Sequence, residues 1–161
     1  MPAILAEHVD YRYVQTIQAP PAVMFPLLCP EREKEWIPDW DARMIHSHSG
    51  VAEPGAVFAT PHAGSETLWY TVAHESPRHV RFVRFQPDGV VVDITIDVSA
   101  SGDNESAVAI RYRFTATTAQ GAEAVRLFTP ARWQEMMLRW QSLMNDWLVQ
   151  NGLTSGRPKN N

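Results

Sequence analysis

The chain has 161 residues, with 14 basic and 18 acidic side chains and a formal net charge of -4. This balance excludes the basic surface typical of nucleic-acid binding, and the length suits one domain with an ample core. Cys29 is the only cysteine, so an intrachain disulfide is excluded and a reducing compartment, the cytoplasm, is expected. The sequence shows no signal peptide and no apolar run long enough to span a bilayer, so we expect no stable membrane insertion.

The first part of the chain predicts one strand and two short helices. Residues 9–18 combine β-branched and aromatic residues with polar residues at alternate positions, which is typical of a strand. Pro21 and Pro30 each favour the first turn of a short helix, and the acidic residues after Pro30 suit the positive end of a helix dipole. A loop that carries two indoles, Trp36 and Trp40, follows the second helix.

Six further segments have strand character, and turns rich in Gly, Pro, Asn and Asp separate them. Because the connections are short, we expect antiparallel neighbours in a meander. Apolar residues at even positions from Val90 to Ala100 indicate one buried face and one solvated face, on which Asp93 and Asp97 would pair with Arg111 and Arg113. The six segments are residues 43–49, 56–62, 67–75, 79–86, 90–100 and 106–117.

The last apolar stretch, residues 121–152, predicts a helix with one buried stripe. The stripe carries three Trp and three Met at helical spacing, and Gly152 suits the end of the helix. Thr129 followed by Pro130 is a helix-start signal, so we expect a short helix, a break, and then the main helix. That break is the expected entrance to a space beneath the helix. The tail, residues 154–161, is expected to be disordered.

These elements predict an α+β fold, in which seven antiparallel strands form one sheet, two short helices follow the first strand, and a long C-terminal helix packs across the sheet. Several local sequences have counterparts in a known superfamily: Ile17-Gln-Ala-Pro-Pro-Ala-Val-Met-Phe, Cys29-Pro-Glu-Arg-Glu-Lys-Glu-Trp-Ile-Pro-Asp-Trp, Gly55-Ala-Val-Phe-Ala-Thr, Thr67-Leu-Trp, and the helix 128–152. On these the chain resembles the SRPBCC superfamily, also called START-like or birch-pollen-allergen-like, and most of all its polyketide cyclase/dehydrase and lipid-transport branch.

The resemblance implies a single helix-grip domain over residues 1–153, in which the curved sheet and the C-terminal helix enclose a cavity of roughly a few hundred Å³. Members of the superfamily bind lipids, polyketides, sterols or other apolar ligands in that cavity, and some of them are enzymes. No fixed catalytic set spans the superfamily, so no catalytic residue is carried over to this chain. No cofactor is implied.

The candidate ligand-binding residues are large apolar side chains of the strands and the last helix, together with one arginine. The simpler interpretation of the apolar ones is that they fill the core. Arg84 alternates with Val80 and Phe82, so it lies either on their buried face, where it needs an anionic partner, or at the rim of the sheet. A register slip of one residue would exchange the faces of the two aromatic residues at positions 69 and 70. The predicted set is Phe58, Trp69, Tyr70, Arg84, Tyr112, Trp133, Met136, Met137 and Trp140.

Four histidines are possible sites of other chemistry. His46 and His48 share one face of a strand, and a tight turn at residues 53–55 would set His46 opposite His62, as in a metal site. Polar residues on a solvated face are the simpler interpretation, so we predict no metal. His74, assigned to the face of Leu68, is a candidate general base, or else it lies at a strand end.

Three functions remain open from the sequence. The first is the binding of a small hydrophobic or aromatic ligand, such as a lipid or a polyketide-like molecule. The second is an enzyme of the polyketide cyclase/dehydrase type that moves protons with a His or Tyr of the cavity. The third is a protein-interaction module, which predicts a collapsed cavity and an exposed apolar patch. The oligomeric state is open, and a homodimer is one of the states allowed.

Overall fold

A computed structural model describes residues 6–154, in which one antiparallel sheet receives the last helix. The predicted tail therefore lies, except for Thr154, outside the described residues. A 3₁₀ turn, Phe25–Leu27, joins the first two helices. The helices and strands are β1 (His8–Ile17), α1 (Pro21–Met24), α2 (Pro30–Glu33), β2 (Arg43–His46), β3 (Val57–His62), β4 (Ser65–Glu75), β5 (His79–Gln86), β6 (Val90–Gly102), β7 (Glu105–Ala116), α3 (Ala119–Leu127) and α4 (Pro130–Gln150).

The predicted fold class is confirmed. The sheet has seven strands in the order β1-β7-β6-β5-β4-β3-β2, so the six later strands form a meander and the first strand closes onto the last. Register shifts in β2, β4 and β6 mark bulges, which bend a strand and increase its twist. The sheet thus presents one face to α1, α2 and α4 and leaves the other face to solvent.

The outer face carries ion pairs whose partners differ in part from the prediction. Asp93 accepts hydrogen bonds from Arg113, as expected, and also from Arg81 at 2.9 Å. Arg111 instead binds Asp10 of β1, since β7 pairs with both β6 and β1. The predicted pairing of Asp97 with these arginines is wrong, because Asp97 lies beside His79, whose Nδ1 is 2.7 Å from its carboxylate.

A bulge in β4 changes which residues face the helix. The register shifts between Thr71 and Ala73, so Thr71 and His74 both face inward, although they are three positions apart. The sequence had assigned His74 to the face of Leu68, and that assignment is wrong. Leu68 lies on the exposed outer face, whereas His74 pairs with Val80 in register and its ring lies 5.4 Å from that of Phe25.

The predicted break before the long helix is confirmed. α3 ends at Leu127 and α4 begins at Pro130, with the Thr129 hydroxyl accepting a hydrogen bond from the backbone N–H of Arg132 at 3.3 Å. This geometry is that of an N-cap followed by proline at the first helical position. The C-terminus of α4 also follows the prediction, since Gly152 has φ +66° and follows the last helical residues.

α4 crosses the sheet and covers its β1 edge. Gln141 and Asn145, one helical turn apart, accept hydrogen bonds at 2.9 and 2.8 Å from the backbone N–H groups of Thr16 and Gln18. These side chains satisfy part of an edge strand that would otherwise present free backbone donors. No helix in residues 6–154, α4 included, is long and apolar enough to cross a membrane.

α3 packs closely on the turn between β5 and β6. Thr118, the N-cap of α3, accepts a hydrogen bond from Gly121 N–H and donates one to the carbonyl of Asp88 at 2.7 Å. A Cβ atom at Gly121 would lie 1.9 Å from the Gly89 carbonyl oxygen, which no side chain can accommodate. This contact places Asp88 and its turn at the rim of the inner face.

Candidate functional site

A cavity of about 90 Å³ lies between the inner face of the sheet, α4 and the segment around α2. Branched aliphatic side chains of β6 and β7 form its floor, and Met136, Trp140 and Met144 of α4 form its roof. The apolar floor follows from the alternation of the strands, because every second residue from Val90 to Val98 is buried. Mainly apolar walls with a few polar groups are the usual character of a small-molecule site.

Three aromatic rings form the wall on β3, β4 and β5. Phe58 stacks on Trp69 with centroids 5.1 Å apart, and Phe82 meets both rings edge to face. The indole N–H of Trp69 donates to the Thr60 hydroxyl at 2.9 Å, which fixes the orientation of the ring. The wall is therefore a packed, oriented aromatic surface.

The opposite wall comes from the segment that begins with α2. Glu33, Trp36, Ile37 and Trp40 follow one another at helical spacing and all line the cavity. The two indoles are anchored, since Trp36 donates to the Leu27 carbonyl at 2.9 Å and Trp40 donates to the Pro30 carbonyl at 2.8 Å. Trp40 also meets Trp69 edge to face at 6.1 Å, so the two walls touch on one side of the cavity.

Glu33 brings a carboxyl group to this apolar cavity. Burial raises its pKa to about 8, because the ionised form would lose its hydration among apolar walls. No hydrogen bond to the carboxyl from residues 6–154 offsets that cost, and the residue as a whole keeps some exposure at the surface. Near neutral pH the carboxyl is therefore mainly protonated, and it can donate a hydrogen bond to a molecule in the cavity.

The sheet contributes three polar side chains to the cavity, those of Gln15, Arg84 and Tyr112, of which Gln15 is paired because it donates to the Met137 carbonyl at 2.9 Å. The pKa of the Tyr112 phenol is raised by burial, partly opposed by the charge of Arg84. The Cζ atom of Arg84 lies 5.2 Å from the Trp69 ring centre, 5.6 Å from that of Tyr112 and 6.0 Å from that of Phe114. Burial lowers the pKa of Arg84, but the ordinary pKa of a guanidinium is so high that it stays charged at neutral pH.

Six of the nine predicted ligand-binding residues line the cavity, and three do not. Tyr70 points to the outer face of the sheet and is 46% exposed, because Trp69 takes the inward position in the β4 register. Trp133 and Met137 are buried core instead. Trp133 stacks on Tyr11 and donates its indole N–H to the Arg12 carbonyl at 3.1 Å. The six that line the cavity are Phe58, Trp69, Arg84, Tyr112, Met136 and Trp140.

The histidines do not meet in one site. His46 pairs with Val57, so the predicted arrangement opposite His62 is wrong, and the turn after β2 is longer than the expected three residues. His62 lies with its Nε2 3.3 Å from the Asp88 carboxylate. His46 and His48 have ring centres 5.2 Å apart, but residues 6–154 contain no group of three possible metal ligands. His74 does not line the cavity either.

Two features of the site differ from the expectations drawn from the sequence. The cavity is smaller than the few hundred Å³ expected, because Trp36, Ile37 and Trp40 fold over the sheet and occupy part of that space. Glu33 was assigned only to the dipole of its helix. The spacing of Glu33, Trp36, Ile37 and Trp40 at steps of three and four was the signal that could have placed all four on one inward face.

No family model and no curated protein matches the sequence. Solved structures nevertheless share its fold. Ara h 8.0201 is 15% identical with TM-score 0.64, over 89% of this chain and 99% of that chain. A point mutant of Thalictrum flavum norcoclaurine synthase is 11% identical with TM-score 0.65, over 93% and 99%. A putative uncharacterized protein from Rhizobium leguminosarum is 15% identical with TM-score 0.61, over 91% and 97%.

At these identities the similarity shows the fold alone. It is the helix-grip fold, so the fold predicted from the sequence is confirmed. One of the solved structures is of Thalictrum flavum norcoclaurine synthase in complex with dopamine and hydroxybenzaldehyde.

Proposed function

We propose that the protein binds a small hydrophobic or aromatic ligand in the cavity between the sheet and α4. The observation that carries this proposal is the convergence of three polar side chains, those of Glu33, Arg84 and Tyr112, on an apolar cavity, where the Nε atom of Arg84 is buried without a hydrogen-bond partner. Buried polar groups in a stable core are normally paired, since each unpaired group costs about 1–3 kcal/mol. A bound molecule that pairs with them would remove that cost.

The size of the cavity favours a single-ring ligand over a lipid or a large polyketide. Its volume, about 90 Å³, is below the roughly 150 Å³ of an apolar cavity that admits benzene. Met136 and Met144 in the roof have flexible side chains that can move to admit a ring. The complex of norcoclaurine synthase with dopamine and hydroxybenzaldehyde supports the proposal by analogy of fold, because both molecules have one aromatic ring.

Tryptophan fluorescence is a direct test, since four of the six tryptophans of the chain line the cavity. Titration with benzyl alcohol is expected to change the emission with a saturable dependence. In Ile96→Phe the added ring fills the cavity, and the saturable change is expected to disappear. Leu68→Phe, a similar change on the exposed outer face, is the matched control and should titrate as the wild type does. Linear, non-saturable quenching of the wild type would contradict the proposal.

The natural ligand can be sought at the same time. Native mass spectrometry of the protein purified without denaturation is expected to show a co-purifying molecule of low mass. Ile96→Phe, purified in the same way, should lack it. A molecule carried equally by both proteins would be bound elsewhere.

A proton-transfer enzyme is the second candidate, and Glu33 is the observation that favours it. A carboxyl group with a pKa of about 8 can both donate and accept a proton near neutral pH. Tyr112 could donate a hydrogen bond to the oxygen of an enolate formed in the cavity. Ring closure and dehydration both need such proton movement, and no histidine lines the cavity to supply it.

Deuterium exchange from solvent into the carbon atoms next to the carbonyl of phenylacetone tests this second candidate. The wild type is expected to accelerate the exchange, and Glu33→Gln should lower the rate by about a hundredfold or more. Tyr112→Phe should lower it less, because it removes one hydrogen bond rather than the base. Equal rates with and without the protein would remove the candidate.

The interaction-module alternative has one supporting feature, an exposed apolar patch on the outer face of β4 and β5. It consists of Leu68, Tyr70, Val72 and Phe85. The alternative also required a filled interior, and the cavity with the unpaired Nε atom of Arg84 favours ligand binding instead. A homodimer and a cytoplasmic location stay predictions, which light scattering of the purified protein and fractionation of cells would test.

A further inference from the structure

Arg84 is held in an unusual way for a buried charge. No carboxylate in residues 6–154 forms an ion pair with it. Its Nε is buried without a hydrogen-bond partner, and three aromatic ring centres lie within 6.0 Å of its Cζ atom. Aromatic faces attract a cation only weakly, and they leave the buried Nε–H of the guanidinium unpaired.

The position of Arg84 connects the cavity to the surface. It lines the closed cavity and also two open depressions, one beside Trp40 and Asp41, the other beside Asp88 and Phe128 at the break before α4. The guanidinium thus forms the shared wall between the interior and both openings. An anionic group that approaches from either opening meets Arg84 before it meets the apolar interior.

Asp88 is the nearest rival for the charge of Arg84. The two residues line the same depression, and the charge of Asp88 acts favourably on Arg84. They are nevertheless not paired, since one Asp88 oxygen lies 3.3 Å from His62 Nε2 and the other is buried without a partner. A carboxylate that neutralises a buried guanidinium forms a direct ion pair with it, and Asp88 does not form one with Arg84.

We propose that Arg84 binds the carboxylate of a small aromatic acid whose ring lies among Trp69, Phe82 and Tyr112 in the cavity. This inference rests on the proposed ligand-binding function. A guanidinium and a carboxylate are both planar, and two parallel N–H···O bonds join them. Such a ligand would neutralise the charge of Arg84 and pair with its buried Nε–H donor at the same time.

The other groups of the cavity suit a carboxylate with a single charge. A phosphate would bring a second negative charge and a tetrahedral shape close to Asp88, in a space of about 90 Å³. Glu33 does not repel the ligand, because burial keeps its carboxyl protonated at neutral pH. Its proton and that of Tyr112 can both be donated to ligand oxygens.

The test compares benzoate with benzamide, which has nearly the same shape but no charge. Affinities are measured by isothermal titration calorimetry and tryptophan fluorescence for the wild type, Arg84→Met, Arg84→Lys and Asp88→Asn. We expect the wild type to bind benzoate about tenfold more tightly than benzamide, the effect of one charge-assisted hydrogen-bond pair. Arg84→Met should lose this preference, because its affinity for benzoate should fall by about tenfold more than its affinity for benzamide.

The remaining variants separate geometry from charge. Arg84→Lys keeps the charge without the planar fork and should show a reduced preference for benzoate. Asp88→Asn should keep or increase the preference, because it removes a competing anion.

Two outcomes overturn the proposal, and they differ. If benzamide binds saturably and benzoate binds no better, or if Arg84→Met keeps the preference, the role of Arg84 is refuted while ligand binding stands. If neither probe, nor benzyl alcohol, binds the wild type, the proposed function fails and this inference with it. Arg84→Met is expected to fold, which far-ultraviolet circular dichroism checks, and Arg84→Lys provides the comparison if it does not.

Discussion

Replacement of Glu33 by glutamine tests the buried carboxyl on which the character of the cavity depends. The side chain keeps its size and polarity but can no longer ionise. In the folded protein the pKa of Glu33 is about 8, against an ordinary value of 4.5, and burial is the cause. The substitution should therefore change how stability depends on pH, more than it changes stability at any one pH.

The direction of this pH dependence follows from which state, folded or unfolded, keeps the Glu33 proton. Between pH 4.5 and 8 the unfolded chain has released the Glu33 proton, whereas the folded chain keeps it. The folded state thus binds more protons, and the free energy of unfolding falls as pH rises through this window. The slope is about 1.4 kcal/mol per pH unit, and the whole effect at most about 5 kcal/mol. Above pH 8 the contribution levels off.

Urea unfolding followed by circular dichroism at several pH values measures this difference. The free energy of unfolding of Glu33→Gln minus that of the wild type is expected to rise steadily from about pH 5 to pH 8. Glu35→Gln is the matched control, because Glu35 is 44% exposed on the same segment and pairs with Arg32. A difference curve for Glu33→Gln no steeper than that for Glu35→Gln would show a solvated carboxyl and refute the burial of Glu33 in the cavity.

Three further predictions concern single substitutions measured by urea unfolding. Arg84→Met should leave the free energy of unfolding unchanged or raise it by up to about 1 kcal/mol, since it removes an unpaired buried donor; a loss above about 2 kcal/mol would reveal a stabilising partner. Trp133→Ala should cost about 3–5 kcal/mol, and Trp140→Ala clearly less, because Trp140 already borders open space; equal losses would contradict the placement of the cavity. Gly121→Ala should destabilise strongly although alanine favours helices by about 1 kcal/mol, because its Cβ would overlap the β5–β6 turn; a stability gain would rule out that contact.

Most of the fold was accessible from local patterns. The alternation from Val90 to Val98 identified a strand with one buried face, and the structure buries those residues. Thr129, Pro130 and Gly152 marked the ends of α4 through backbone chemistry that involves only neighbouring residues. Such signals depend only on a repeat of two or 3.6 residues or on one capping residue. They can therefore be recognised without knowing which element packs against the helix or strand.

The candidate site was accessible only in part. Phe58 and Tyr112 were identified as candidates for the cavity from alternation and size, and both line it. Tyr70 was placed wrongly because the face of β4 depends on its pairing with β3 and β5, and no local feature of the strand distinguishes the two registers. His74 faces inward because of a bulge in β4, and the alternation of apolar and polar residues in the sequence does not reveal that bulge.

The apolar helix at the end of the chain shows the same difference between local and tertiary information. Its stripe, its start at Pro130 and its end before Gly152 follow from residue spacing and caps, because these are properties of the helix alone. Whether a residue of the stripe packs in the core, as Met137 does, or borders a cavity, as Trp140 does, depends on what lies opposite. The segment from Glu33 to Trp40 lies there, about a hundred residues away in the chain, and only tertiary packing brings a protonated carboxyl and a charged guanidinium into one apolar space.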